Sequence, residues 1–445
     1  MPVTEMDCLR AEIANLRPIH NVGRVVEVGK GTITVQGLSN DASLGDQVKI
    51  ERKGQNPMGG EVLQLTRHRL VILPDHSAEG VVISDRVTLL GPARISPDSS
   101  WIGRVIDPSG APLDGRPLLR GPFSRPMRAS PPKATERNAL GERLETGVAA
   151  FNTMLPIVRG QRLGMFAGSG VGKSTLLAKF ARGVAADMVV IALIDERGRE
   201  VREFIDHVLG PEGMKRAVVV TATSDQSPLV RRRCAWTAMA VAEHFRDQGQ
   251  HVLLLVDSIT RFAEAHREVA LASGETASLR GYPPSTSHMI MSLCERAGPG
   301  SGNSGDITAL FSVLVAGSDM EEPVADILRG VLDGHVVLDR KIAERGRFPA
   351  IDLLRSVSRS LPNAAAPEEN ELINKARRLL GAYDQAEIMI QAGLYSAGSD
   401  PLIDEAIAVW AQLDAFLARD EPDNTAASFA HLAAALSRGE VAEPA

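Results

Sequence analysis

Ala167-Gly-Ser-Gly-Val-Gly-Lys-Ser174 follows a short apolar run, Leu163–Ala167, and opens a stretch of helical pattern, Ser174–Val184. Gly168, Gly170 and Gly172 lack a Cβ, so the backbone can approach a ligand closely and take positive φ. A strand, a glycine loop and Lys-Ser at a helix start form the context of a phosphate-cradling loop. Backbone N–H groups from Gly168, Ser169, Gly170, Val171 and Gly172, with the first turn at Lys173, Ser174 and Thr175, would face phosphate oxygens. Lys173 would neutralise β/γ-phosphate charge and the Ser174 hydroxyl would ligate Mg²⁺. The expected ligands are therefore ATP and Mg²⁺. The strict pattern opens on glycine, and Ala167 departs from it.

Two further strands carry acids. His251-Val-Leu-Leu-Leu-Val-Asp257 is an apolar run ending in a carboxylate, the form that holds Mg²⁺ beside a phosphate loop. Val189-Val-Ile-Ala-Leu-Ile-Asp195-Glu196-Arg197 ends in two acids and an arginine. One of these acids would orient the attacking water, and spacing does not choose between Asp195 and Glu196. Together with Ala217–Thr221, Ile307–Val315 and His335–Leu338, these runs suit strands buried on both faces of a mainly parallel sheet. At least two strand-like segments separate the phosphate loop from Asp257. That favours a RecA-like order, in which an extra strand lies between the two motif strands and carries the catalytic glutamate.

The flanks differ from this core. Residues 1–17 suggest an amphipathic helix with Leu9, Ile13 and Leu16 on one side, stopped by Pro18. Six short runs rich in Val, Ile and Thr between Asn21 and Leu90 predict a small barrel. Residues 91–135 are rich in Pro and Gly and read as a connection. Beyond Pro362 the pattern is helical, with segments Leu372–Ala382, Tyr383–Gln391, Pro401–Phe416 and Ala426–Leu436. The expected division is 1–18 tail, 19–92 barrel, 93–361 RecA-like P-loop core with its entry linker, and 362–445 helical domain.

Composition narrows the function. Formal net charge is −6, which argues against a basic nucleic-acid binder. The acids concentrate beyond Pro362, where 14 Asp and Glu face 5 Lys and Arg. Such a surface suits solvent or a basic partner. Cys8, Cys234 and Cys294 are an odd number without metal spacing, as expected of reduced thiols in the cytoplasm. No apolar run approaches the roughly 20 residues of a membrane span.

Longer runs carry a resemblance. Asp257-Ser-Ile-Thr-Arg-Phe-Ala263, Arg280-Gly-Tyr-Pro-Pro-Ser285, Glu295-Arg-Ala-Gly298, Leu332-Asp-Gly-His-Val-Val-Leu-Asp-Arg340 and Ser356-Val-Ser-Arg359 resemble the F1/V1-type rotary ATPase superfamily. Phe245-Arg-Asp-Gln-Gly249 is most similar to its type III protein export ATPases, the flagellar branch in particular. The likeness spans residues 20 to 415. It implies that Glu196 is the catalytic glutamate, that Arg197 lies near the γ-phosphate, and that Phe348 packs on adenine where the family usually has Tyr. It further implies that Arg359 is an arginine finger supplied to the next subunit of a homohexameric ring. The implied partners are export stator or regulator proteins, a central stalk, and export substrates with their chaperones. The implied location is the cytoplasm, peripheral to the inner face of the membrane at the export gate.

Other classes fit less well. A virulence type III secretion ATPase is the nearest alternative. The acidic loop that rotary synthase β subunits carry in the helical domain is not recognisable here, which disfavours an F-type catalytic subunit. Residues 21–90 contain no Phe, Tyr or Trp, so a single-strand nucleic-acid platform would lack its stacking surface. A nucleotide-binding subunit without turnover would usually lack a carboxylate at position 196. Gly298–Gly305 reads as a flexible loop by composition.

Overall fold

The computed structural model describes residues 5–14, 16, 19–29, 31–278, 281–315 and 320–437, so Pro18 and Arg280 lie outside it. Helix α1 (Glu5–Ala14) comes first. It buries Cys8, while Leu9, Ile13 and Leu16 are all more than half exposed. The apolar side expected from the sequence is therefore not covered by the rest of the chain.

Strands β1 (Val22–Gly29), β2 (Thr32–Gln36), β3 (Asp46–Ile50), β4 (Met58–Leu65), β5 (Leu70–Pro74) and β6 (Arg86–Pro92) close into a barrel in the order β1-β2-β5-β4-β3-β6. Alternate residues point inward: Ile33 and Val35, Val48 and Ile50, Leu70 and Ile72 form its core. Gly59 and Gly60 both lie in β4. A Cβ at Gly60 would stand 2.8 Å from Ile72 and 2.9 Å from the Leu73 carbonyl, so glycine here serves close strand packing.

The connection also contributes structure: β7 (Arg94–Ile95), β8 (Arg104–Ile106) and β9 (Arg125–Pro126). Strand β8 joins the central sheet as an edge. It is pinned by Arg104, whose guanidinium donates to both Asp114 oxygens at 2.5 and 2.7 Å and holds that carboxyl well below the usual range.

The core then runs α2 (Ala149–Asn152), β10 (Arg162–Ala167), α3 (Lys173–Gly183), β11 (Met188–Glu196), α4 (Gly198–Glu203), α5 (Gly210–Met214), β12 (Ala217–Thr223), α6 (Pro228–Asp247), β13 (Val252–Asp257), α7 (Ile259–Ala272), α8 (Ser285–Cys294), β14 (Ile307–Leu314), α9 (Pro323–Val331), β15 (Gly334–Leu338), α10 (Arg340–Glu344) and β16 (Ile351–Ser358). Among the described residues the sheet order is β16-β15-β10-β14-β13-β11-β12-β8, parallel except for β16. Both faces are buried: Val189, Ile191 and Leu193 enter one apolar cluster, and Val190, Ala192 and Ile194 the other. The apolar runs of the sequence are continuous for this reason.

One expectation is corrected. A strand does separate β10 from β13, but it is β14, and it does not carry Glu196. That residue ends β11, on the far side of β13, where Leu193 is in register with Asp257. The chain winds outward through β11 and β12, returns at β13, and only then inserts β14 against β10.

Gly298–Gly305 is a loop that packs closely at Gly300 and Gly305, while Gly302 is exposed. A Cβ at Gly305 would sit 1.9 Å from the Gln250 carbonyl and one at Gly300 2.1 Å from the Gly305 carbonyl. Close backbone approach, rather than flexibility, accounts for these glycines.

The chain closes with α11 (Pro367–Gln391), α12 (Pro401–Leu417) and α13 (Thr425–Ser437). The two helices expected up to Gln391 are one, because the only weak former at the junction, Gly381, faces open space and is tolerated. Tyr383 stacks on Trp410 at 4.8 Å to join α11 to α12. Asn152 donates to Ser428 at 3.1 Å, tying α13 to the core.

Phe180 of α3 is fully buried and meets Phe151 edge-on at 4.8 Å. Phe180→Ala should lower stability by ~3–5 kcal/mol, read as an earlier midpoint in chemical unfolding.

Candidate active site

Strand β10 delivers the phosphate loop to the C-terminal edge of the sheet. Ala167 is its last residue, fully buried and in register with Leu314 and Leu338. The departure from glycine therefore falls in the strand and leaves the loop unchanged. Gly170 and Gly172 have φ of 77° and 85°, a region that other residues enter at a cost. The first helical hydrogen bond of α3 runs from Leu176 N–H to Gly172 O at 3.1 Å. The preceding N–H groups remain available to an anion. Lys173, Ser174 and Thr175 line a cavity of about 1190 Å³, together with Glu196, Arg197 and Arg261.

Asp257 ends β13 and is buried. Its Oδ1 accepts from Ser312 Oγ at 2.7 Å and from Lys173 Nζ. Ser258 caps α7, accepting from Arg261 N–H at 3.3 Å. Thr260 Oγ1 accepts from Leu314 N–H at 2.9 Å, which fastens α7 to β14. The available donors, a Ser174 hydroxyl and the Asp257 carboxylate, are hard oxygens that suit Mg²⁺. Among the described residues no group of three or more His, Cys, Asp or Glu could hold a metal ion. A Mg²⁺ here would take most of its ligands from phosphate and water, as that ion commonly does.

The strand that carries Glu196 is irregular at its end. Its register against β12 passes from Ile194–Ala222 directly to Glu196–Thr223, leaving Asp195 as an extra residue with φ of 63°. Such a bulge re-aims the following side chain. Asp195 is held by Arg231 Nη1 at 3.2 Å and lies 3.5 Å from Arg261 Nε. Both acids line the cavity with Lys173, but Glu196 is the one that feels the charges of Asp257 and Lys173. Burial, and then the Asp257 charge, push its carboxyl up to about 7; a hydrogen bond with Glu200 adds to this and Lys173 opposes it. Asp195 is thus engaged by arginine and Glu196 by neighbouring acids and Lys173.

The remaining predicted residues divide. Arg197 lines the cavity with its side chain 76% exposed and 3.7 Å from Glu200. Phe348 lies against the phosphate loop: a Cβ at Gly172 would stand 3.1 Å from its ring, which is about half exposed. Arg359 is elsewhere. It follows β16, whose Ser358 pairs with Gly334, whereas the phosphate-loop end of β10 pairs with Leu338. Arg359 therefore sits at the opposite end of the sheet from its own phosphate loop, donating to the Arg329 carbonyl at 3.0 Å. The sequence assigned no role to Glu200, Arg261, Glu264 or Tyr282, which also line the cavity. Arg261 and Tyr282 lie inside runs that were diagnostic as motifs, and that was the available signal.

Known proteins resemble this chain closely. Residues 147–358 match the model of the ATP synthase alpha/beta family, nucleotide-binding domain, and residues 365–438 that of the T3SS EscN ATPase C-terminal domain. A flagellum-specific ATP synthase of Caulobacter vibrioides is 45% identical, over 94% of this chain and 96% of the relative. A type 3 secretion system ATPase of Xanthomonas euvesicatoria is 41% identical, over 90% of each. The assembled ATPase EscN of enteropathogenic E. coli is 36% identical and superposes with a TM-score of 0.86, covering 93% of this chain and all of that one. EscN has also been solved in complex with its central stalk EscO, and that structure gives a TM-score of 0.84.

Glu196 should be neutral below about pH 7 and ionised above it. Glu200→Gln removes a charge and a hydrogen bond that favour the neutral form, so the acid limb of the pH–rate profile for ATP turnover should move to lower pH. An unmoved limb would mean that another group sets it.

Proposed function

This chain belongs to the flagellar and type III secretion ATPases of the ATP synthase alpha/beta family, and from that premise we propose how its residues hydrolyse ATP to power protein export. The observation that carries the proposal is that Lys173 and Glu196 line one cavity at the phosphate loop, with the buried Asp257 carboxylate behind them accepting from Lys173 and acting on the charge of Glu196. The loop N–H groups and Lys173 hold the β- and γ-phosphates. Ser174 and Asp257 would hold Mg²⁺, which would neutralise phosphate charge. Glu196, poised by burial near neutral pH, orients the attacking water and accepts its proton. Arg197 closes the site beside the γ-phosphate. Phe348, beside Gly172, packs on the adenine through its ring alone.

Arg359 completes the site of a neighbouring subunit. Its place at the far end of the sheet keeps it from its own phosphate loop, and its exposure suits an intermolecular contact. A homohexameric ring provides that contact at every interface. The ATPase EscN has been solved in assembled form, which supports a ring here.

The division of labour follows the proposed boundaries 1–18, 19–92, 93–361 and 362–445. A central stalk, as in the EscN–EscO complex, is the proposed partner of the helical part. There α11 stops at Gly393, with φ of 68°, and leaves Ile388 81% and Leu394 76% exposed. Export stator or regulator proteins, export substrates and chaperones complete the proposed partner set, with no nucleic acid. The proposed location is cytoplasmic, peripheral to the inner face of the membrane at the export gate. No helix among the described residues is long and apolar enough to cross a membrane. Flagellar export is the branch proposed, with virulence type III secretion the alternative.

Arg359→Ala should lower kcat by about 10³-fold while ATP binding is nearly kept, since such a finger acts on the transition state. Equal loss of binding and turnover would sink its role. Glu196→Gln should likewise bind ATP and fail to turn it over; undiminished hydrolysis would remove Glu196 as the base.

A further inference from the structure

Asp195 is unusual in its backbone. Among the described residues only it and Ser84 have positive φ without being glycine. Left-handed geometry costs a residue with a Cβ, and it persists only where surrounding contacts over-determine it. Here the contacts are specific. Arg231 Nη1 donates to Asp195 Oδ1 at 3.2 Å, Nη2 donates to Glu268 at 2.9 Å, and Nε donates to the Gln226 carbonyl at 3.1 Å. One guanidinium thus bridges the bulge of β11, the loop after β12 and helix α7. The Asp195 and Arg231 side chains are 10% and 12% exposed, so the pair is little screened by solvent. The loop it grips is bound to the bulge a second time, through Ser224 N–H to the Glu196 carbonyl at 3.1 Å.

We propose that Arg231 is a positioning residue for Glu196. Its ion pair with Asp195 holds a non-glycine residue in the left-handed turn that directs the glutamate into the active site. Arg231 lies outside the residues lining the cavity, so it acts through Asp195. Released from the clamp, Asp195 relaxes toward ordinary φ and the carboxylate of Glu196 swings away from the attacking water. Misplacement by an ångström is enough to cost about 10²-fold in rate. This inference rests on Glu196 being the base.

The test uses the full-length protein and steady-state ATP hydrolysis. Arg231→Gln should lower kcat about 10-fold or more with KM for ATP and nucleotide affinity little changed, because only the base moves. Adding Asp195→Gly in that background should recover most of the lost kcat, since glycine adopts the turn without a clamp. That recovery separates a role in the bulge from a general effect on stability. If Arg231→Gln does not fold, Arg231→Lys, which cannot make all three contacts, carries the same test with the same glycine rescue. Wild-type kcat in the single variant, or no recovery in the double, would overturn the proposal. Glu196→Gln separates the two claims. If it is inactive while Arg231→Gln is fully active, the clamp alone fails. If Glu196→Gln is itself fully active, the base assignment fails first.

Discussion

Lys173 and Asp257 are 84 positions apart in sequence, yet the ammonium of one meets the carboxylate of the other. That contact depends on the sheet. Strands buried on both faces have no room for charge along their length. Polar chemistry is therefore confined to their ends, and parallel winding brings the C-terminal ends of β10, β11 and β13 to one edge. The insertion of β14 between β10 and β13 sets the spacing between loop and carboxylate. Ser312 of β14 also bonds to Asp257 from the inserted strand itself. Placing two acids and a lysine there has an electrostatic cost. Its sign is visible at Glu196, which burial and the neighbouring Asp257 hold toward its neutral form.

The antiparallel strand β16 has the opposite consequence. Running back against β15, it carries the chain away from the phosphate-loop edge and leaves Arg359 at the far one. A chain built this way brings a phosphate loop and Glu196 to one edge of the sheet and leaves Arg359 at the other, so the three cannot all meet within one copy. On the proposed function, assembly is therefore part of the chemistry, and hydrolysis is tied to the arrangement of neighbours around a stalk.

The phosphate loop and the end of β13 were legible because their chemistry is local: consecutive residues, glycine geometry and an apolar run. The barrel was legible from alternation and the sheet from continuous apolar strands. What was not legible was non-local. Strand β8 has three residues and is recognisable only by its partner β12. Strand β16 is an edge whose apolar run is broken by Asp352, Arg355 and Ser356, so it lacks the signature of its buried neighbours. The one-residue bulge at Asp195 leaves no mark in the spacing, and the place of Glu196 relative to β14 turned on the winding order of the sheet. The glycines of Gly298–Gly305 read as flexibility in the sequence, yet Gly300 and Gly305 serve close packing, because both demand the same residue.

The central claim is that each active site is shared by two copies of this chain. Mixing the Arg359→Ala and Glu196→Gln proteins tests it most directly. Each alone lacks one half of every site, but interfaces in a mixed ring can pair an intact Glu196 from one chain with an intact Arg359 from the next. The account predicts that ATP hydrolysis reappears on mixing, well above the sum of the separate variants. Activity that stays at that sum, in rings shown to contain both chains, would contradict it.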